Sequence, residues 1–310
     1  MNLRSPLAAG GSCPLCSGAV FSTWHFGLVT CESCGLVVAT EVWRPAANEL
    51  LNAQFFDDEH EPVASLWTRL FERMNNQRTL GRLFDAGNTA RGRLLEVGVG
   101  NGSLLTAARS QGYSPCGCDI SAAACRRIGR TAGISVYCGP LQSLPGDELF
   151  DVIVMNHLLE HVAEPVALLN AARTRLRSGG LLHVAVPNVG SWEARCPGWN
   201  SYEPYHLLYF TPDTLQIAAQ KAGLDILSVA THESFSGWFL ALFRTLRGQR
   251  LSHDAWLGVH QAKRTSPGID ALYRIAMIGA GALTLPLRRL QEALGRGDEV
   301  ILLCRQPFHE

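Results

Sequence analysis

Apolar residues in the last two-thirds of the chain come in two rhythms. Nearly unbroken runs at 94–97, 113–119, 151–156, 181–186, 224–230 and 299–304 predict strands, with a further short strand at 135–137. Between them, apolar residues three and four apart predict helices at 104–111, 121–132 and 165–176, the last opening on Pro165 and broken by Gly179-Gly180. Strands that lack polar alternation are buried on both faces. The pattern therefore predicts an α/β fold with a doubly wound parallel sheet, which holds ligands at the carboxyl ends of its strands.

Two stretches depart from this rhythm. Residues 44–90 read as a helical connector, with Leu66, Trp67, Leu70 and Phe71 at helical spacing. Trp67 serves either as packing or as part of a roof over the site. Between the strands at 224–230 and 299–304 lies an insertion at about 237–296, whose helical pieces are 237–246 and 271–294. The run 275–287 is apolar almost all round but too short to span a bilayer. With Arg244, Arg247, Arg250, Lys263, Arg264, Arg274, Arg288, Arg289 and Arg296 nearby, it is either a buried helix with a charged border or a peripheral membrane contact.

The strand at 94–97 runs into Glu96-x-Gly98-x-Gly100-x-Gly102 and then a helix from Ser103. Glycines let a turn pass close beneath a ligand, and a helix start offers free N–H groups. The spacing is neither the dinucleotide G-x-G-x-x-G nor a triphosphate loop, because no Lys follows. Asp119, next to Ile120, ends the following strand, where an acidic side chain meets ribose hydroxyls. Further on, Asn156 stands at a strand end and leads into His157-Leu158-Leu159-Glu160-His161. An imidazole there can take a proton from a hydroxyl, with a carboxylate to orient it; alternatively Glu160 and His161 brace the loop. The segment 186–210 carries Trp192, Trp199, Tyr202, Tyr205, His206, Tyr209 and Phe210 and reads as an aromatic-walled loop. In it His206 is either a second candidate base or a histidine bonded within the loop. Thr211, before Pro212, is a candidate helix cap.

Near the N-terminus, Cys13-x-x-Cys16 and Cys31-x-x-Cys34 are separated by fourteen residues, the spacing of a closed four-thiolate zinc site. Strands at 19–26 and 36–39 would complete a zinc ribbon over 1–43. The six other cysteines have no such spacing, which fits a reducing cytoplasm. No apolar leader with a cleavage site precedes the ribbon, so the expectation is a cytoplasmic protein, with peripheral contact to the inner membrane face as an extension. Composition changes the picture little. Hydrophobic residues make 47% and charged residues 17%, enough for a large core, and a net charge of zero disfavours nucleic acid.

The glycine pattern with its acidic partner resembles the first motif of class I S-adenosylmethionine-dependent methyltransferases, and the segment after Asn156 resembles the ubiquinone-pathway O-methyltransferases. The resemblance implies a Rossmann-like methyltransferase domain over 91–310, its last strand antiparallel. It implies S-adenosylmethionine held by Glu96, Gly98, Gly100, Gly102, Asp119, Ile120, Leu141 and Asn156, with Leu141 either flanking adenine or anchoring its loop. Catalysis would fall to His161, His206 and Glu160, and Zn2+ to the four cysteines. Asn156 stands where the ubiquinone-pathway pattern has an acidic residue, which argues against a catalytic metal. The implied acceptor is a small molecule: a sugar, quinone-like or lipid-like compound. The ribbon and aromatic loop also resemble C-methyltransferases of nucleotide-linked sugars. The competing readings are an RNA methyltransferase that uses the ribbon for recognition and a non-catalytic cofactor-binding regulator. Oligomeric state is not legible.

Overall fold

The computed structural model describes residues 11–39, 66–87, 91–203, 206–234, 237–248, 279 and 281–308. Residues 275–278 and 280 of the apolar run, Tyr205, the Trp67 side chain and the first part of the connector lie outside the described residues.

The larger sheet has seven strands: β4 (Arg93–Val97), β5 (Ser114–Asp119), β6 (Val136–Cys138), β7 (Phe150–Asn156), β8 (Leu176–Pro187), β10 (Asp225–His232) and β11 (Glu299–Arg305). They lie in the order β10-β11-β8-β7-β4-β5-β6. β4 to β8 pair in parallel and β11 inserts antiparallel between β8 and β10. This is the doubly wound parallel sheet that the sequence predicts, with its last strand antiparallel. The order reverses between β4 and β7, so their carboxyl ends frame the crevice where such sheets hold ligands.

Helices α2 (Ser103–Ser110), α3 (Ala122–Ala132), α4 (Pro165–Arg175) and α5 (Pro212–Lys221) cover this sheet. Leu94, Leu95, Val152, Ile153, Val154, Leu182 and Val184 are buried completely or almost so, as strands with helices on both faces must be. α5 begins as the sequence predicts: the Thr211 hydroxyl accepts the Thr214 N–H in a capping box and Pro212 fills the first turn. Gly179-Gly180 behaves differently from expectation. The pair forms an irregularity inside the long β8, where pairing passes from Phe150–Leu176 to Val152–Leu181, instead of ending a helix before a separate strand.

α1 (Leu66–Asp85) packs Leu80 and Leu83, both 0% exposed, into a core that includes Leu94, Leu181 and Leu303. Within the insertion, α6 (Gly237–Leu246) and α7 (Leu285–Ala293) are described. No helix among the described residues is long and apolar enough to cross a membrane.

The N-terminal segment forms β1 (Phe21–Thr23), β2 (Leu28–Cys31) and β3 (Val37–Ala39), with a turn at His25–Gly27 dividing what the sequence suggests is one strand. This sheet does not stand apart. β3 pairs antiparallel with β9 (Leu208–Tyr209), so the order is β1-β2-β3-β9, and the Ala39 N–H donates to the Leu207 carbonyl at 2.9 Å. Trp199, Tyr202 and Tyr209, at 1–2% exposure, pack with Leu28, Val37 and Ala39. Three of the aromatic residues expected to line a substrate loop therefore form the seam between two sheets, and the segment reaches the larger cleft described below through Asn200 and Ser201 instead. Phe210 is also fully buried, and Trp192 rests edge-on to Trp238.

Candidate active site

The turn after β4 is built on three glycines with positive φ: Gly98 at 80°, Gly100 at 49° and Gly102 at 77°. Side chains would strain this backbone, and at Gly102 a Cβ would also sit 2.9 Å from Ile128. The turn is tied to the end of β5. Gly98 N–H donates to the Cys118 carbonyl at 2.8 Å, Val99 N–H to Asp119 Oδ2 at 2.9 Å, and Ser121 N–H to Asp119 Oδ1 at 2.7 Å. Asp119 thus shapes the turn with one bond on each oxygen. A carboxylate has about four acceptor positions, so both oxygens keep capacity for a ligand hydroxyl.

Beside the turn is a cavity of about 230 Å³ whose wall includes Glu96, Gly98, Gly100, Asn156, His157 and His183. Glu96 is 6% exposed with Oε2 unpartnered, and Asn156 Oδ1 also lacks a donor. Burial, with Asp119 nearby, pushes the Glu96 carboxyl well above its usual range. His183, 1% exposed, has neither ring nitrogen bonded, and burial holds it down to about 4, neutral at physiological pH. Buried acceptors without donors are what a ligand carrying N–H or O–H groups would satisfy. These residues fit S-adenosylmethionine, whose methionine end carries an ammonium.

Not every expected cofactor residue reaches this wall. Gly102, Asp119 and Ile120 do not line it; Asp119 ends β5, and Ile120, 42% exposed, follows that end. Leu141 is 2% exposed within the core, so of its two expected roles its burial serves the loop anchor.

Past β7, His157 adopts φ 51°, a left-handed conformation that costs a non-glycine residue on the order of 1–3 kcal/mol. Its N–H donates to the Ala185 carbonyl at 2.8 Å. The short turn Leu159–His161 then carries Glu160 inward, to 1% exposure with neither carboxylate oxygen hydrogen-bonded. Three imidazoles surround Glu160 Oε1: His157 Nδ1 at 3.6 Å, His161 Nε2 at 3.9 Å and His206 Nε2 at 4.0 Å. Burial alone would raise Glu160, but His157 and the other imidazoles hold it down to about 2. His157 also meets Glu299 through Nε2 at 3.1 Å. Desolvation opposes its charge, yet its side chain is 55% exposed, and Glu160 and Glu299 carry it well above the usual histidine value. His206 goes the other way. Burial, with His161 adjacent, pushes it down to about 3, and its Nδ1 donates to the Ser201 carbonyl at 2.8 Å. His206 Nε2 lies between two carboxylates, 3.4 Å from Glu203 Oε2 and 4.0 Å from Glu160 Oε1. Glu160, His161 and His206 together offer three ligand atoms within 4.8 Å of one another, a set that can accept a divalent cation although Asn156 provides no carboxylate.

A second cleft of about 810 Å³ adjoins the first, and Asn75, Arg78, Arg82, His157, His232 and Glu299 line both. His157 faces both spaces. His161 and His206, the bases suggested by sequence, line neither. The turn of the chain after Asn156 leaves His157 at the strand end and folds His161 inward, while His206 is brought in by the segment after β8. The signal for His157 was its place at the carboxyl end of β7, where such sheets present functional groups. Arg78, Arg82 and Glu299 were missed because α1 and β11 are brought in from the two ends of the domain.

The four N-terminal cysteines form a separate cluster. Cys13 and Cys34 sulfurs are 3.6 Å apart, Cys16 and Cys31 sulfurs 3.4 Å, and all four lie within 4.8 Å of one another. A tetrahedral zinc with Zn–S bonds of about 2.3 Å spaces its sulfurs by roughly 3.8 Å, so the donor set fits that ion.

A family model described as a methyltransferase domain matches residues 66–229. A ubiquinone biosynthesis O-methyltransferase of Cereibacter sphaeroides (strain KD131 / KCTC 12085) is 31% identical over 153 residues, covering 43% of this chain and 60% of that protein. One from Parvibaculum lavamentivorans is 32% identical over 102 residues, covering 31% and 40%. The chain thus spans 40% to 60% of the length of these curated relatives. Among solved structures, a protein assigned as a sarcosine dimethylglycine methyltransferase of Galdieria sulphuraria has TM-score 0.52 at 15% identity, covering 84% of this chain and 98% of that one. The [4+2]-cyclase SpnF has TM-score 0.50 at 23% identity, covering 85% and 93%. At these identities the structures speak for the fold alone. The family match runs over more than half of the chain and falls on the sheet with this strand order, so the chain belongs to the S-adenosylmethionine-dependent methyltransferase family.

Proposed function

We propose that this protein transfers a methyl group from S-adenosylmethionine to a hydroxyl of a small-molecule acceptor held in the larger cleft, and that the four cysteines hold a structural zinc. The observation that carries the reading is the cavity beside the glycine turn: buried Glu96 and Asn156 oxygens lack donors, and His157 stands where that cavity meets the cleft. The bound cofactor supplies an already activated methyl group. Glu96, Asn156 and the glycine turn hold it, Asp119 keeps acceptor capacity for its ribose, and His157 takes the acceptor's proton. Glu160 steadies the ring from Nδ1, while Nε2, which meets Glu299 in the free protein, exchanges that contact for the acceptor hydroxyl and takes its proton at pH above the raised His157 value. The oxygen acceptor is favoured by the relatives named as ubiquinone biosynthesis O-methyltransferases. Recognition of RNA by the ribbon is disfavoured, because β3 and the aromatic seam are spent on the catalytic domain.

The test is calorimetry of the full, zinc-loaded chain with S-adenosylhomocysteine, followed by acceptor screening with methyl-labelled cofactor. We expect saturable one-to-one binding. On the acceptor found, His157→Ala should lose about 10²- to 10⁴-fold in kcat with cofactor affinity retained. Absence of binding would sink the reading, and an unchanged kcat in His157→Ala would remove the assigned base.

A further inference from the structure

Arg78 and Arg82 stand one turn apart on α1, and both line the two cavities. Like charges at this spacing repel, so the pair is not there to stabilise the helix. Neither makes an ion pair with a carboxylate among the described residues. Arg78 reaches Asn75 Oδ1 at 3.4 Å and His232 Nε2 at 2.7 Å, where the imidazole must act as acceptor. Arg82 is half-buried and has no hydrogen bond or ion pair among the described residues.

Glu299 and Glu292 act on Arg82 only from a distance, and their close contacts, like those of Asp298, are made elsewhere. Glu299 faces His157 at 3.1 Å, Glu292 meets His232 at 2.7 Å and accepts the Glu233 N–H at 3.0 Å, and Asp298 accepts the Ser234 N–H at 3.0 Å. A partly desolvated guanidinium without a counter-ion is unfavourable until an anion is brought to it, and its planar fork matches a carboxylate or phosphate. Position tells which ligand brings the anion. Along α1, Glu72, Asn76 and Thr79 line the smaller cavity alone, whereas Phe71, Met74, Gly81 and Asp85 line the larger cleft alone. Arg82 lies where these two helix faces meet, beside Gly81 and one turn before Asp85, which both face the larger space.

We propose that Arg82 receives an anionic group, carboxylate or phosphate, carried by the methyl acceptor. This rests on reading the smaller cavity as the cofactor site. The acceptor is then an acidic or phosphorylated small molecule whose reacting hydroxyl reaches His157 while its charge lies against α1.

The experiment uses the full, zinc-loaded chain saturated with S-adenosylhomocysteine, titrated in separate calorimetric runs with pyrophosphate and with benzoate. We expect at least one anion to bind in the millimolar range or tighter. Arg82→Gln should weaken it about ten-fold or more and Arg82→Lys less, with S-adenosylhomocysteine affinity within about three-fold of the parent in both. Preference for pyrophosphate supports a phosphorylated acceptor and preference for benzoate a carboxylic one. Intact cofactor-product binding with no anion binding overturns this proposal alone, as does anion binding indifferent to Arg82→Gln. A ten-fold loss of S-adenosylhomocysteine affinity in Arg82→Lys, the variant that keeps the charge, would assign Arg82 to the cofactor and overturn it too. Failure of the parent chain to bind S-adenosylhomocysteine would overturn the functional reading, and this one with it.

Discussion

The cysteine cluster and the Glu160 cluster are both sets of potential donor atoms within 4.8 Å of one another, but they are assembled differently. The cysteines come in two pairs, each within one short turn, joined by the β1–β2 hairpin. Glu160 and His161 are neighbours, whereas His206 arrives after β8 and Glu299, which fixes the other side of His157, arrives from the final strand. One cluster is local and the other is a product of the whole fold. They also touch through one short ladder: Ala39 N–H donates to Leu207 O, and Leu207 N–H donates to Glu160 O at 2.8 Å. The N-terminal sheet thus continues by two hydrogen bonds into the segment that buries the carboxylate.

The strongest way to break this comparison is Cys31→Ser. Structural zinc sites in small modules supply most of their folding energy, so we expect loss of bound zinc and a drop in stability of more than about 3 kcal/mol. The ladder makes the loss directional. In hydrogen exchange the Leu207 amide should lose protection while Gly98, whose N–H is held by Cys118 in the far half of the sheet, keeps it. Equal loss at both would show no privileged coupling between ribbon and site. A zinc-free parent chain with unchanged melting would remove the metal.

The contrast also explains what was legible. Spacing alone identifies the cysteines, because four thiolates at two C-x-x-C turns have few other uses. The unbroken apolar strands announce the sheet, and the alternating glycines announce the turn whose φ values no other residue adopts easily. The histidines were harder to rank, because sequence shows that imidazoles lie near a strand end without showing which of them the fold turns inward. Of His157, His161 and His206, His157 alone lines the two cavities. The aromatic segment failed for a related reason. Its composition suits a ligand wall and a sheet-to-sheet seam equally, and only the β3–β9 pairing chooses the seam.

A second prediction probes the Glu160 side. Glu160 is depressed to about 2 in the fold, so its contribution to stability is present above the ordinary carboxylate pKa of about 4.3 and is lost as pH falls toward 2. His157 is raised, so its contribution is complete below about 6.5 and is lost as pH rises through the folded value. The stability difference between the parent chain and Glu160→Gln should therefore peak between about pH 4.5 and 6.5 and shrink on both sides. The same substitution should lower the His157 pKa measured by NMR and move the acidic limb of kcat/KM to lower pH. A His157 titration unmoved by Glu160→Gln would show that Glu299 alone sets the base.

The smallest effect belongs to a carboxyl with the opposite surroundings. Glu233 is 0% exposed, and its Oε2 accepts from Gln291 Nε2 at 2.8 Å and from the Asp298 N–H at 3.0 Å. Gln291 also donates to Glu193 at 2.7 Å. Burial, with Asp298 and Glu193 as neighbours instead of imidazoles, pushes Glu233 up to about 11, so it holds its proton at neutral pH. A raised carboxyl contributes fully only below its unfolded pKa of about 4.3 and loses that contribution as pH rises. Glu233→Gln keeps the shape, cannot ionise and offers an N–H to acidic neighbours. We expect it to match the parent near pH 4 and to be more stable by about 1 kcal/mol at pH 8, read from denaturant midpoints. A loss at pH 8 would mean that Glu233 is ionised there, and that burial among acids does not separate its behaviour from that of Glu160.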